Sequence, residues 1–342
     1  MGVNPYWSLL RGALQDVGVE FDDSPSWSFS RRWLSANRGR VQVVHFHSVR
    51  HFWEYELTQA RLRWVLRFAR NVLLSRALGY RTVFTVHDLR PLEHSLLPDW
   101  VDFLGHWLAV RLVDAVIVHY ETGRKLLTET YGRRRNVYVV CHPSFDGVYP
   151  SEMTAGQAKS SLGYSDQDRV ITCFGGIRQN KGIEDLISAF ESLPGENLRL
   201  LIAGQPWPPA SYVDSLKGKA EGNPRIRIVA ELIPDDQVQA YLRAADVVVL
   251  PFRQILNSSS TILAMTFGRP VVAPAIGCLT DVISADSGLL YDPADPHGLR
   301  KALLECQTLD LEAMGRRAGE RVREVTWHDM ARQTLRAYGQ EA

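Results

Sequence analysis

Short apolar runs alternate with amphipathic segments along the whole chain, and this alternation constrains the fold more than any other feature. Uninterrupted apolar strands between helices are typical of parallel sheets that are covered on both faces. The pattern therefore predicts an α/β protein. The predicted strands are residues 41–47, 81–87, 114–119 and 136–140 in the first half, and 170–174, 198–203, 225–229, 247–250 and 271–273 in the second.

A segment rich in structure-breaking residues, His142–Pro150, separates the two sets of strands and predicts a linker. The 342 residues are too many for one ordinary core and suit two domains of roughly 150–180 residues each. We place the first domain at residues 1–147 and the second at 148–326. In open α/β sheets ligands bind beyond the carboxyl ends of the strands, so residues that follow strands are the candidates for function.

Composition excludes several classes of protein. The hydrophobic share of 45% is typical of a globular chain, and the net charge of +1 gives no indication of nucleic-acid binding. Four scattered cysteines argue against a disulfide scaffold or a zinc site and suit a reducing compartment. No apolar run approaches the ~18–20 residues of a membrane span, and the start lacks a secretory pattern. We expect a cytoplasmic protein, at most peripheral at the inner membrane face.

The near-neutral total conceals a basic N-terminal half. Residues 1–150 hold 19 Lys and Arg against 14 Asp and Glu, and residues 31–90 alone hold 12 Arg against 3 acidic residues. Such a bias suggests an anionic partner, either a membrane surface or a phosphate group. A solvated arginine-rich face would show the same composition.

A glycine-rich turn with two cations follows the strand at 170–174. Gly175 and Gly176 allow close approach of a ligand to the backbone, and Arg178 and Lys181 stand where the next helix begins. Backbone N–H groups at a helix N-terminus also favour an anion. The turn therefore predicts a diphosphate site, although a plain strand-to-helix turn with solvated cations remains the alternative.

A run of hydroxyl residues precedes an apolar helix that ends at Gly268. Ser258, Ser259 and Ser260 lie directly before it, and one of them is expected to cap the helix. One cap needs one hydroxyl, so the remaining serines offer a second phosphate cradle.

His87 closes a strand and opens a polar loop that also holds Asp88 and His94. A strand-end histidine in such a loop is a candidate for a functional role. A zinc site is conceivable there, but the spacing matches no standard ligand set, so we expect no metal.

Taken in order, these and other short motifs resemble the GT-B glycosyltransferases, in particular glycosyltransferase family 4. The resemblance covers nearly the whole chain. The motifs in the first half are Asn4–Tyr6, Thr85–His87 and His142–Pro143, and those in the second are Phe174–Gly182, Leu201–Gly204, Ala244–Pro251, Ala264–Ala273 and Gly288–Pro293.

The resemblance implies a GT-B fold, with two doubly wound Rossmann-like domains facing a central cleft. The domain at 1–147 would bind the acceptor, the domain at 148–326 the nucleotide-sugar, and a helix at 327–342 would cross back onto the first. The implied reaction moves a sugar from a UDP- or GDP-linked donor to a saccharide or lipid-linked acceptor, with retention and without metal or cofactor.

The resemblance also implies roles for individual residues. Arg178 and Lys181 would bind the donor diphosphate and stabilise its charge, and His87 would lie by the reacting sugar. The other implied contacts are Gly2, Gly175, Gly176, Ser258, Ser259 and Ser260 for the diphosphate, and Glu231, Ile233 and Asp235 for the nucleobase and ribose.

One departure concerns the family's two signature glutamates, whose positions hold Ile255 and Leu263. These side chains cannot make the family's contacts to the donor sugar and ribose. Two alternatives therefore stay open, a catalytically degenerate sugar-nucleotide-binding module and a GT-B-fold sugar-nucleotide epimerase.

The arginine bias is concentrated on a helix predicted at residues 61–75. Leu62, Val65, Leu66, Ala69, Val72 and Leu73 would form its core face. Three arginines share a flank, and two aromatic residues lie away from that face, which resembles an interfacial helix. We therefore predict an acceptor and membrane face, with an interdomain or dimer contact as the alternative. Its residues are Arg63, Trp64, Arg67, Phe68 and Arg70.

Overall fold

The structure, a computed structural model, describes residues 5–25, 28–53, 62–89 and 99–340. The chain divides into two compact units. The N-terminal unit comprises Ser8–His142 with Trp327–Ala342, and the C-terminal unit comprises Pro143–Thr326 with Met1–Trp7.

The unit boundary lies at 142/143, five residues before the one expected from the sequence. Residues beyond it are tied to the C-terminal unit. The backbone N–H of Phe145 donates to Thr266 Oγ1 at 3.1 Å, and Asp146 pairs with Arg323 at 2.7 Å. Of the predicted linker at residues 142–150, only His142 belongs to the N-terminal unit, where its ring contacts Trp327.

The N-terminal unit contains a parallel sheet in the strand order β1-β2-β3-β4. The C-terminal helix packs against β2 and β3 of this sheet. The strands and helices are α1 (Tyr6–Asp16), α2 (Arg31–Ala36), β1 (Val43–Phe46), α3 (Leu62–Ala77), β2 (Arg81–Thr85), α4 (Asp99–Leu112), β3 (Ala115–Val118), α5 (Glu121–Tyr131), β4 (Val137–Val139) and, at the end of the chain, α14 (Trp327–Tyr338).

Helix α3 presents a different face to the core from the one expected. Phe68 is only 2% exposed and packs in an aromatic cluster with Phe46 and Phe52. The prediction of Phe68 as part of an exposed face is therefore wrong. The buried stripe is Val65, Phe68, Ala69 and Val72, which also fits helical spacing, whereas Leu62, Leu66 and Leu73 are exposed.

The C-terminal unit contains a six-stranded parallel sheet in the order β10-β9-β8-β5-β6-β7. Its elements are α6 (Ala155–Ser161), β5 (Arg169–Phe174), α7 (Ile183–Glu191), β6 (Leu198–Ala203), α8 (Ala210–Ala220), β7 (Ile226–Val229), α9 (Val238–Ala244), β8 (Val247–Val249), α10 (Ser259–Thr266), β9 (Val271–Pro274), α11 (Leu279–Val282), β10 (Gly288–Tyr291), α12 (Gly298–Glu305) and α13 (Leu311–Arg323).

Strand order in this sheet reverses at β5. The chain runs from β5 to β6 and β7 on one side, and from β8 to β9 and β10 on the other. Such a switch point leaves a crevice at the carboxyl ends of the two strands that flank it, here β5 and β8. Ligands of open α/β sheets bind in that crevice.

No helix in the described part of the chain is long and apolar enough to cross a membrane. All four cysteines are free thiols, and Cys173, Cys278 and Cys306 are buried.

Candidate active site

The loops after β5 and β8 meet at the switch point. Gly175 directly follows β5, and Ser260 lies in the first turn of α10. A Cβ atom on Gly175 would lie 2.7 Å from Ser260 Oγ and 2.9 Å from Lys181 Nζ. Gly175 also has a φ of +106°, so both its backbone and its surroundings require glycine. The structure thus brings together three of the residues that the sequence singled out.

Lys181 is the most unusual group at this point. It ends a 3₁₀ turn at Gln179–Lys181, its side chain is 6% exposed, and Nζ donates to the carbonyl of Phe174 at 3.0 Å. Among the described residues no carboxylate forms an ion pair with its ammonium group. Burial lowers the pKa of Lys181 to about 8, which the Cys173 thiol opposes and Arg178 reinforces.

Arg178 contacts Trp207, a residue that none of the sequence motifs included. Its guanidinium lies 3.6 Å from the ring centroid of Trp207, in a cation–π contact. Gly176 makes room for this pair, because a Cβ there would lie 3.0 Å from Trp207 Nε1 and 3.2 Å from Arg178 Nε. Trp207 follows β6 at the same edge of the sheet. Its position after a strand is the sequence signal that could have marked it as a candidate site residue.

The three serines before and within the first turn of α10 have different positions and contacts. Ser258 Oγ accepts a hydrogen bond from the backbone N–H of Thr261 at 3.1 Å and so caps α10. Ser259 and Ser260 form the first turn, and Ser260 is the hydroxyl beside Gly175. One serine therefore serves as the cap, and the other two lie in the first turn of the helix.

A second group of residues holds the 3₁₀ turn in place. The guanidinium of Arg253 binds both carboxylate oxygens of Asp185, at 2.9 and 3.1 Å, and its backbone N–H donates to the carbonyl of Asn180 at 2.8 Å. A Cβ on Gly182, whose φ is +61°, would lie 2.3 Å from the carbonyl oxygen of Pro251. These contacts join the loop after β8 to the turn that carries Lys181.

The loop expected to hold the nucleobase follows β7, two strands from β5. Neighbouring strands lie about 4.8 Å apart, so this loop starts about 10 Å from the Gly175 turn along the same edge. Ile233 is buried and anchors the loop, whereas Glu231 and Asp235 are exposed. Burial and, to a smaller extent, Asp235 raise the pKa of Tyr149 to about 12.

In the N-terminal unit His87 belongs to a row of histidines, which we call the histidine row. His47, His87, His119 and His142 follow β1, β2, β3 and β4 in turn. Adjacent ring centroids lie 5.7, 5.3 and 5.8 Å apart. His119 Nδ1 donates to the carbonyl of Val140 at 2.9 Å. The sequence signal was a histidine at the carboxyl end of every predicted strand of this half.

Burial keeps the imidazoles of His47, His87 and His119 neutral. It lowers the pKa of His119 to about 4, and it lowers those of His47 and His87 well below the usual value. His45, within β1, bonds Thr85 and Tyr338 at 2.8 Å each, and burial lowers its pKa to about 3. Over the described ranges, no group of His, Cys, Asp and Glu is arranged to hold a metal ion.

Gly2 lies outside the described residues. The two signature positions differ in their surroundings, since Leu263 is buried within α10 whereas Ile255 lies on the loop after β8. The backbone of Ile255 fits closely against Gly277, where a Cβ would lie 2.4 Å from its carbonyl oxygen.

The model of the family described as "Glycosyl transferases group 1" matches residues 168–308. A D-inositol 3-phosphate glycosyltransferase of Corynebacterium efficiens is 31% identical over 326 residues, which cover 89% of this chain and 72% of that protein. The chain belongs to the group 1 glycosyltransferases.

Other relatives of this glycosyltransferase match over different lengths. A second D-inositol 3-phosphate glycosyltransferase, from Corynebacterium glutamicum, is 31% identical over 53% of this chain, which spans only 46% of that protein. A GDP-mannose:glycolipid 4-beta-D-mannosyltransferase of Xanthomonas campestris is 26% identical to this chain. The match covers 79% of this chain and 70% of the mannosyltransferase. The sucrose-phosphate synthase of Thermosynechococcus elongatus has the same fold, with a TM-score of 0.76, 19% identity and coverage of 99% and 93%.

The resemblance found in the sequence is thereby confirmed. The protein is an enzyme of the glycosyltransferase class with the GT-B fold, built from two α/β units with parallel sheets.

Proposed function

We propose that this glycosyltransferase transfers a hexosyl group from a UDP- or GDP-linked donor to a saccharide or lipid-linked acceptor, with retention and without a metal. The observation that carries this proposal is the meeting of Gly175, Lys181 and Ser260 at the switch point of the six-stranded sheet. A buried ammonium, a hydroxyl and a glycine turn in one crevice suit a diphosphate.

The donor diphosphate is bound by cations and N–H groups of the C-terminal unit. Lys181 supplies the buried charge, Gly175 leaves room for the phosphate beside it, and the first turn of α10 supplies backbone N–H groups. Arg178, whose guanidinium lies 3.6 Å from the Trp207 ring centroid, supplies a second cation. Gly2, Gly176, Ser258 and Ser259 complete the set carried over from the family.

The nucleobase and ribose lie along the loop after β7. Ile233 is buried and holds the loop against the unit, which presents its backbone groups to the base. Glu231 and Asp235 are exposed beside it, and we assign them to the ribose hydroxyls.

Catalysis is mainly electrostatic. The bond between the anomeric carbon and the phosphate oxygen breaks, the acceptor oxygen bonds to the same face of that carbon, and the leaving phosphate oxygen takes the acceptor's proton. Lys181 and Arg178 stabilise the negative charge that grows on the diphosphate, each such donor contributing roughly 3–4 kcal/mol. The neutral imidazole of His87 hydrogen-bonds the reacting sugar without adding a positive charge at the anomeric carbon.

A screen of UDP- and GDP-linked sugars tests this proposal. Calorimetry with UDP and GDP measures binding, and NMR of the product made with glycolipid and saccharide acceptors gives its anomeric configuration. Chelator is added to every reaction, and activity should persist in it. Inversion, or loss of activity with chelator, would overturn that part of the proposal. Binding without turnover would favour the degenerate module, and a change of sugar configuration without transfer would favour an epimerase; the relatives described above favour neither.

The acceptor side of the proposal includes a peripheral contact with an anionic membrane. On α3, Arg63 and Arg67 each lie 5.1 Å from the ring centroid of Trp64, and Leu66 is 54% exposed. Helix α4 packs against α3 and exposes Trp100 by 59%. Exposed apolar side chains beside arginines suit an anionic lipid surface. The name of one relative, the GDP-mannose:glycolipid 4-beta-D-mannosyltransferase, also describes a glycolipid acceptor for that protein.

Vesicle co-sedimentation tests the membrane contact separately. Leu66→Gln with Trp100→Ala should abolish binding to anionic vesicles at low salt, because the changes remove two exposed apolar side chains from the packed helices α3 and α4. Leu232→Gln, which changes an exposed leucine of the other unit, is the matched control. Failure of the unmodified protein to sediment with these vesicles would remove the membrane contact and leave the transfer reaction intact.

A further inference from the structure

A pocket of about 400 Å³ opens at the amino ends of β3 and β4 in the N-terminal unit. Asp114 directly precedes β3, and Asn136 directly precedes β4. We call this site the arginine pocket, because five guanidinium groups line it. They belong to Arg76, Arg111, Arg133, Arg134 and Arg135.

One carboxylate faces these five cations, and it is already engaged. Asp114 accepts hydrogen bonds from Arg76 Nε at 2.7 Å and from the N–H and hydroxyl of Thr82 at 2.9 and 2.7 Å. Among the described residues that line the pocket, no further carboxylate faces the other four positive charges. Burial lowers the pKa of Arg133, and the charges of Arg111 and Arg76 lower it further. The cations therefore repel one another, and a bound anion would relieve that repulsion.

Backbone carbonyls hold three of the guanidinium groups in place. Arg111 Nη1 donates to Gly132 at 2.9 Å, and Arg76 Nη1 donates to Leu112 at 3.1 Å. Arg133 donates to the carbonyls of Asp114 and Arg135 at 2.9 and 2.7 Å. A guanidinium has five N–H donors, so Arg76 and Arg111 keep further donors for a ligand. Groups fixed in advance lose little entropy when they bind.

The pocket lies at the opposite edge of the sheet from the histidine row. His119 follows the carboxyl end of β3, whereas Asp114 precedes its amino end. Four strand residues at about 3.3 Å each separate the two edges by about 13 Å. A ligand in this pocket is therefore neither the sugar donor nor the hydroxyl that receives the sugar.

We propose that the arginine pocket binds a phosphate or diphosphate group at a site separate from the transfer reaction. The planar, bidentate guanidinium matches phosphate oxygens, and the volume falls within the range of small-molecule sites. The group belongs either to a soluble phosphorylated compound or to a lipid headgroup. Its binding does not depend on the proposed transferase activity.

Hydrogen exchange of the full chain with sodium pyrophosphate as the probe tests this site. Pyrophosphate should slow exchange in residues 132–137 relative to sodium chloride of equal ionic strength. Arg134→Gln with Arg135→Gln should weaken that protection about tenfold or more, because both side chains are exposed on the pocket wall. The matched control is Arg31→Gln with Arg32→Gln, two exposed arginines on α2 of the same unit, which should leave it unchanged.

Phosphatidylglycerol vesicles distinguish the two sources of the phosphate group. Co-sedimentation that pyrophosphate competes away, and that the Arg134/Arg135 double variant loses, assigns the pocket to a lipid headgroup. Sedimentation unchanged in that variant, together with protection by pyrophosphate, assigns it to a soluble ligand. The proposal is overturned if pyrophosphate protects residues 132–137 no more than sodium chloride does, or protects the double variant as well as the unmodified protein.

Discussion

Lys181 Nζ donates a hydrogen bond of 3.0 Å to the carbonyl oxygen of Phe174, the last residue of β5. This bond holds the ammonium beside Gly175, where a Cβ atom would lie only 2.9 Å away. A buried cation without a carboxylate partner destabilises a folded protein. The simplest account of its retention is a ligand that brings the negative charge, and the proposed donor diphosphate is such a ligand.

Replacing Lys181 separates its functional role from a structural one. Lys181→Met should lower turnover about a hundredfold or more, because it removes a charge that stabilises the leaving diphosphate. The same change should leave the melting temperature equal or raise it, since a buried ammonium is replaced by an apolar side chain of similar length. Steady-state kinetics and thermal unfolding measure the two effects.

The matched control for Lys181→Met is Lys159→Met. Lys159 is also buried, but it pairs with Asp246 at 3.0 Å and donates to the carbonyl of Asp168. Removing it should lower the melting temperature, because it leaves a carboxylate without its partner. Near-normal turnover in Lys181→Met would exclude Lys181 from the site.

Nucleotide affinity should fall as pH rises through about 8. The pKa of Lys181 is lowered to about 8 by burial, and a diphosphate binds the charged ammonium. Above that pH the free protein loses the proton, so binding should weaken by up to about tenfold per pH unit. Calorimetry with UDP and GDP between about pH 7 and pH 9.5 measures it, and Lys181→Met should remove most of the slope.

Both the backbone conformation of Gly175 and the space beside it require a residue without a side chain. Gly175→Ala would place a Cβ 2.7 Å from Ser260 Oγ at a φ of +106°, so we expect a loss of about 1–3 kcal/mol of unfolding free energy and strongly reduced nucleotide binding. Gly12→Ala is the control, because it lies inside α1 with open space around it. It should stabilise the protein by about 0.5–1 kcal/mol, as urea unfolding would show.

The sequence predicted the parallel α/β architecture and the residues at the switch point, because both depend on local patterns. Apolar strands, a glycine turn with cations and a capped apolar helix are each contained in a short stretch of chain. Ile183, Leu186, Ile187 and Phe190 are buried on α7 at helical spacing, a pattern that a short stretch of sequence contains in full. Ser258 caps α10 as a serine at that position should.

The sequence did not predict features that depend on contacts between distant segments. Trp207 meets Arg178 only because β6 lies beside β5. Phe68 is buried because aromatic side chains from β1 and the following 3₁₀ turn cover it, and the helical pattern alone allowed two adjacent faces. The contact that ties the start of the C-terminal unit to its own core also depends on distant segments, since Phe145 is held by Thr266, far along the chain.

Arg178 and Trp207 should act as one unit in donor binding. Arg178→Ala should lower kcat/KM for the donor about a hundredfold or more, because it removes a charge that stabilises the leaving diphosphate, and Trp207→Ala should lower it about tenfold by removing the cation–π contact. The double variant should be little worse than Arg178→Ala, because each change removes the same contact at 3.6 Å. Steady-state kinetics of the four proteins form a double-mutant cycle, and additive effects would show that Trp207 does not position Arg178.

Acid should destabilise the protein through the histidine row. Burial lowers the pKa of His119 to about 4, whereas an unfolded histidine titrates near 6.5. As pH falls from about 6.5 towards 4, the unfolded chain takes up a proton that the folded chain does not, so stability is lost over that window. His119 alone should account for about 2 kcal/mol between pH 7 and pH 5.

His119→Gln should therefore reduce the loss of stability between about pH 7 and pH 5. His297→Gln, which changes an exposed histidine of the other unit, should leave it unchanged. Urea unfolding followed by tryptophan fluorescence is a suitable measurement, because most of the nine tryptophans belong to the N-terminal unit. An identical pH dependence in His119→Gln and the unmodified protein would mean that His119 is protonated equally in the folded and unfolded chains, which would contradict the effect expected from its burial.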